Sequence, residues 1–151
     1  ALYIFMKLFI FSLLLSSTTF AYEFHSGSKT YSTTKTSDQI SAEYGFKFDT
    51  KPIVIAANHI KNQHYSKQWE ILDLLDAESL QLIYITAISG SLQKSGYFIG
   101  KETAKTILNG SNFRILMFSY EGNEILNSSD VVSATEIKRL LKEKFSLNPN
   151  K

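Results

Sequence analysis

Phe113-Arg114-Ile115-Leu116-Met117-Phe118 is followed by Tyr120-Glu121-Gly122-Asn123 and then by Glu124-Ile125-Leu126. The first run is apolar enough for a buried strand. The second is a turn, with Gly122 and Asn123 able to take a positive φ, and the third is a return strand. A β-hairpin is therefore expected near the end of the chain. Downstream, Ser133-Ala134-Thr135-Glu136 has the spacing of a capping box. Ala134, Ile137, Leu140, Leu141 and Phe145 then recur on one helical face, with Lys138, Arg139, Lys142 and Lys144 outward.

Upstream of the hairpin the pattern is strand, helix, strand, helix. Pro52 opens Ile53-Val54-Ile55-Ala56-Ala57, a continuous run suited to a strand buried on both faces. A helical pattern starts at Ser66, with Trp69, Leu72 and Leu75 on one face and Ile71 and Leu74 widening it. Asp76-Ala77-Glu78-Ser79 closes it. Leu80 to Thr86 is the second strand, so a parallel βαβ unit is expected. Ser89–Gly96 reads as a Gly/Ser-rich connector. Lys101–Leu108 reads as a short helix stopped by Asn109-Gly110.

Tyr22–Asp49 is rich in Ser, Thr, Lys and Tyr and reads as an irregular N-terminal lead. Ile40, Tyr44, Phe46 and Phe48 within it are spaced like a weak strand or docking segment. His25 lies in this lead and is assigned no role. The expected organisation is thus a lead over 22–49, one domain over 50–147 and a tail over 148–151. The expected fold class is α/β, with a central four-stranded mixed sheet flanked by helices.

The chain has 151 residues, of which 44% are hydrophobic and 20% charged, the balance of a globular domain rather than a disordered one. Its formal charge is +2 with no basic block, so no nucleic-acid partner is expected. It has no cysteine, which excludes disulfides, thiol nucleophiles and thiol redox chemistry.

Met6 reads as the translation start, with Ala1–Phe5 upstream of it. Lys7, the apolar stretch Leu8–Leu15 and Thr19-Phe20-Ala21 follow the order of a secretory signal peptide, with cleavage after Ala21. Removing 21 residues from 151 leaves 130, and losing Lys7 takes the formal charge from +2 to +1. The mature protein is expected in the periplasm or secreted, monomeric, and off the membrane once cleaved.

The order of elements is that of a thioredoxin fold. Pro52–Ala57, Leu82–Thr86, the Phe113–Phe118 strand with its Tyr120-Glu121-Gly122 turn, and Val132–Glu136 together resemble the thioredoxin-like family called domain of unknown function 4174. The resemblance covers about residues 50–145. It implies a thioredoxin-like domain of an exported protein. The chain departs from redox thioredoxins in two places. Asn58-His59-Ile60-Lys61-Asn62-Gln63-His64 stands where they carry Cys-x-x-Cys, and Asn112 precedes Phe113 where they carry a cis-proline.

The polar loop Asn58–Tyr65 follows a buried strand and enters a helix, which makes it the expected ligand-binding place. Asn58, His59, Gln63 and His64 are its candidate residues. His59 and His64 could hold a metal with an acid such as Asp73 or Glu70, but their spacing is no recognised ligand motif, and two solvated loop histidines are the favoured reading. No catalytic residue and no cofactor are assigned. Ser89-Gly90-Ser91 lacks a nucleophile elbow, and Gly90, Gly96 and Gly100 do not form a phosphate loop. Tyr44, Phe46, Tyr97 and Phe98 are the aromatics expected to be partly exposed, and one patch of them would suit a protein partner. The expected function is a non-redox binding module for an unidentified protein or small molecule. The alternatives are a periplasmic immunity protein against a toxin, and an enzyme dependent on His59 and His64.

Overall fold

The computed structural model describes residues 21–45, 50–90 and 96–145. The segment read as a signal peptide up to Phe20, the aromatics Phe46 and Phe48, Ser91 and the 148–151 tail lie outside the described residues.

Seven strands form one mixed sheet, where the sequence suggested four. They are β1 (Glu23–Ser26), β2 (Lys29–Ser32), β3 (Lys51–Ala57), β4 (Leu82–Ile88), β5 (Tyr97–Ile99), β6 (Phe113–Phe118) and β7 (Glu124–Ser128). Their order is β2-β1-β5-β4-β3-β6-β7. Among the described residues there are five helices: α1 (Thr36–Tyr44), α2 (Gln63–Leu72), α3 (Ala77–Leu80), α4 (Lys101–Leu108) and α5 (Ala134–Phe145).

The four expected strands lie side by side. β3 pairs parallel with β4, from Lys51 opposite Leu82 to Ala57 opposite Ile88. β6 pairs antiparallel with β3, and β7 antiparallel with β6. The period of two along each strand then sorts side chains to two faces. Ile53, Ile55, Ile115 and Met117 meet Leu72 of α2 and Ile137, Leu140 and Leu141 of α5 on one face. Val54, Ile85, Leu116 and Phe118 meet Ile40 of α1 and Ala104, Ile107 and Leu108 of α4 on the other. A sheet covered on both faces explains why Ile53–Ala57 of β3 and Ile115–Phe118 of β6 read as unbroken apolar runs.

Three strands and two helices correct the reading of the sequence. One of the helices is α3, which takes Ala77–Leu80 with Gln81 in the left-handed region after it, so the second strand starts at Leu82 and not at Leu80. The segment taken as an irregular lead forms a hairpin and a helix. Phe24 of β1 and Tyr31 of β2 are buried, with their rings stacked at 5.3 Å, while the residues between them are half-buried or exposed. One apolar side chain per four-residue strand is too little signal to see in the sequence. Ile40 and Tyr44, taken as strand-like, lie on α1. His25 is not idle in a loose lead: it pairs with Phe98 across β1 and β5, with the rings 5.6 Å apart. β5 lies in the short stretch between the Ser89–Gly96 connector and the Lys101–Leu108 helix, where the sequence suggested no strand, and it runs parallel to β4. Only eight residues join the two strands, shorter than the usual parallel crossover.

Local details also shift. α2 starts at Gln63, not Ser66, because Asn62 caps it. Leu74, expected inward, is 75% exposed, and Gln68 takes a core position instead. Gln68 is fully buried and closes a ring with Val132: its Nε2 donates to the Val132 carbonyl at 3.0 Å, and its Oε1 accepts the Val132 amide at 2.8 Å. The ring ties α2 to the entry of α5. Only half of the capping box forms. Ser133 Oγ accepts the Glu136 amide at 3.2 Å, while the Glu136 carboxylate turns to Arg139. In the hairpin turn it is Gly122 that takes the positive φ, and Asn123 does not.

Candidate functional site

Asn58–Tyr65 sits at the C-terminal end of β3, between the ends of β4 and β6, where open α/β sheets gather ligand sites. Its backbone is fixed by neighbours far apart in sequence. The Asn58 amide donates to the Asn112 carbonyl at 3.0 Å, and the Ser89 amide donates to the Ala57 carbonyl at 3.1 Å. Gly90 lies so close that a Cβ built on it would stand 2.1 Å from the Asn58 carbonyl oxygen. Only glycine fits this approach of two backbones.

The asparagines are bound to one another. Asn62 Nδ2 donates to Asn58 Oδ1 at 3.1 Å and to the Asn112 carbonyl at 3.3 Å. Asn58 Nδ2 donates to Asn112 Oδ1 at 3.4 Å. Asn62 Oδ1 accepts the Tyr65 amide at 3.1 Å, the N-cap bond of α2. Asn62 and Asn112 therefore matter more to this loop than their sequence context suggested. The legible signal was an Asn three residues before the first buried helical residue, Tyr65.

Of the four candidate residues, Asn58 belongs to this lock. His59, Gln63 and His64 are exposed. His59 Nδ1 accepts the Lys61 amide at 3.0 Å, so in the neutral ring the proton sits on Nε2. His64 stands in the first turn of α2, with its ring stacked on Phe113 at 5.7 Å. The structure does not bring the candidate acids to them. Glu70 and Asp73 lie six and nine residues beyond His64, about 9 and 14 Å of helical rise, and Glu70 pairs instead with Lys67. No group of three metal-ligating side chains occurs among the described residues.

The aromatics divide. Tyr44 is 56% exposed, whereas Tyr97 is half-buried and packs edge-on against Phe24 and Tyr31 at 5.7 and 5.8 Å. Phe98 lies against His25. Trp69 is half-buried against the core, edge-on to Tyr84 at 5.4 Å. Among the described residues, no helix is long and apolar enough to cross a membrane. No family model and no curated protein matches this chain.

Proposed function

We propose that this chain is an exported, non-redox, thioredoxin-like binding module that recognises a protein or small-molecule partner through Asn58–Tyr65. The thioredoxin-like reading is supported by the strand order β4-β3-β6-β7 with its parallel, antiparallel and antiparallel pairings, and by α2 following β3 directly. The resemblance to domain of unknown function 4174 belongs to the same reading. Export rests on the charge, apolar core and small residues of Lys7 to Ala21.

The observation that carries the binding role is the contrast inside the loop. Asn58, Asn62 and Asn112 are hydrogen-bonded to one another, while the imidazoles of His59 and His64 face solvent. A preorganised loop loses little conformational freedom on binding. Without a thiol at the start of α2, thiol redox chemistry is not open to this position.

Three measurements test the proposal. The exported protein should begin at Tyr22 when sequenced from its N-terminus. It should not reduce insulin. When used to capture partners from the exported fraction of its source, it should retain a component that the His59→Ala/His64→Ala variant loses, with the variant's unfolding free energy within about 1 kcal/mol of the parent. Equal capture by the folded variant would remove the loop from the proposal. Insulin turnover would remove the non-redox assignment.

A further inference from the structure

Where β3 begins, α3 and α5 wall a cavity of about 340 Å³, large enough for a small organic molecule. Lys51 of β3, Ser79 and Leu80 of α3, and Lys138, Leu141 and Lys142 of α5 line it. The period of α5 brings its three residues together, since positions 138, 141 and 142 share one helical face, and Phe145 follows them one turn on.

The first observation is where the Lys51 ammonium lies. Its Nζ donates to the Leu80 carbonyl at 3.0 Å and to Gln81 Oε1 at 3.4 Å, and it stands 5.5 Å from the centre of the Phe145 ring. Leu80 ends α3 and Phe145 ends α5, so the charged atom itself sits between the two walls of the cavity. Lys51 is half-buried, and burial holds its ammonium below the usual lysine range. A negative charge bound against it offsets that cost.

The second observation is the balance of charge. Three lysines line the cavity, and none of its lining residues among the described residues is acidic. The two carboxylates of α5 are engaged on another face of the helix, where Glu136 and Glu143 accept from Arg139 at 2.6 and 2.7 Å. Beside α3, Asp76 accepts the Ser79 amide at 3.2 Å, and neither Asp76 nor Glu78 lines the cavity. The third observation is apolar. Leu80 and Leu141 share the wall with the lysines, and both pack against the core beneath.

These features fit one negative head on a short apolar body. A phosphate ion satisfies the lysines and leaves the leucines unused, and an aliphatic alcohol does the reverse. We propose that the cavity between α3, α5 and the start of β3 binds a medium-chain aliphatic carboxylate. Its head group meets Lys51, Lys138 and Lys142, and its chain lies along Leu80 and Leu141. The site is at the opposite end of β3 from the His59 and His64 loop and does not depend on it.

The test is titration of the folded chain with octanoate, acetate, octanol, octylammonium and inorganic phosphate. Calorimetry gives affinity, and amide chemical shifts give location. Octanoate should bind saturably and shift the amides of residues 79, 80, 138, 141 and 142. Acetate lacks the chain and octanol lacks the charge, so each should bind about tenfold more weakly or worse. Octylammonium should not bind. Lys138→Gln/Lys142→Gln, two exposed changes, should weaken octanoate about tenfold and leave octanol unchanged. Lys51→Met keeps an unbranched stem beside Phe145 and should weaken octanoate as much; if it fails to fold, the glutamine variant decides alone. The proposal is overturned if octanoate does not saturate, if its shifts fall elsewhere, if octanol, octylammonium or phosphate binds as tightly, or if the folded variants bind octanoate like the parent.

Discussion

The two ends of β3 are built in opposite ways. At the C-terminal end, Asn58, Asn62 and Asn112 use one another's amide groups, Asn62 caps α2, and Gly90 closes the gap against the Asn58 carbonyl. At the N-terminal end, α1 begins without a side-chain cap, and Thr50 Oγ1 is buried alone. The first end spends its asparagines on one another and leaves the His59 and His64 rings to solvent. The second is also lined by polar residues, several of them bonded to one another, but it leaves Thr50 Oγ1 without a partner. Polar side chains in one loop therefore divide between two roles: the asparagines fix the backbone, and the exposed imidazoles are left to meet a partner.

The largest effects should come from the glycine that closes each end. Gly122 has φ +83°, and a Cβ there would stand 2.4 Å from Thr34 Cγ2. Gly122→Ala should lose about 1–2 kcal/mol to the left-handed backbone and about 1–3 kcal/mol more to overpacking. Gly90→Ala carries no φ penalty, but its clash is with the Asn58 backbone, so about 1–3 kcal/mol is expected. Urea unfolding of both variants measures the pair. A Gly90→Ala protein as stable as the parent would mean that the C-terminal end is not tightly closed.

Next in size is the difference between the two helix starts. Asn62→Ala removes the α2 cap and two bonds of the asparagine lock, and should destabilise by about 1–2 kcal/mol. Lys35→Ala removes no cap and should stay within about 0.5 kcal/mol. Equal losses would erase the distinction between a capped and an uncapped end.

This contrast was only half legible in the sequence. β3, β4, β6, β7, α4 and α5 each carry several apolar residues at a clear period, and all were readable. β1, β2 and α1 bury few apolar side chains apiece, chiefly Phe24, Tyr31 and Ile40, and depend on partners far along the chain. His25 meets Phe98 across 73 positions, and no local pattern foretells that pairing. The candidate loop was legible as polar and as lying between strand and helix. The asparagine lock was not, since Asn112 is 54 residues from Asn58. The arrangement around Thr50 at the other end was invisible for a related reason. It needs α1, and the α1 segment resembled a weak strand.

A smaller effect concerns how α1 is held. Its C-terminal half is anchored by Glu43, which accepts from Lys29 Nζ and from the Tyr31 hydroxyl. The Lys29 bond, then the Tyr31 bond, hold the Glu43 carboxyl below the usual range. A carboxylate with a lowered folded-state pKa contributes stability above its unfolded value, near ~4.3. That contribution is lost as pH falls through the lower folded value. Glu43→Gln should therefore be less stable than the parent at neutral pH, and the two should converge in acid. Because Glu43 is exposed, the gap should also shrink with added salt. Parallel unfolding curves at every pH would show that the Glu43 bonds add nothing to what Ile40, Thr36 and Ser37 already hold.

The smallest expected effect is the most discriminating. Thr50→Val replaces the unpartnered hydroxyl with a methyl of nearly the same shape. If Thr50 Oγ1 is bonded in the folded protein, removing it should cost about 0.5–1.5 kcal/mol, the net worth of a typical hydrogen bond. If it is unbonded, the substitution removes a desolvation penalty and fills the same space. Stability should then be unchanged or slightly raised. The backbone amide that donates to Ser37 Oγ survives the change, so α1 and β3 keep their contact. Thermal and urea unfolding of the variant should match the parent or exceed it. A loss above about 1 kcal/mol would place a bonding partner on Thr50, and the two ends of β3 would no longer differ in kind.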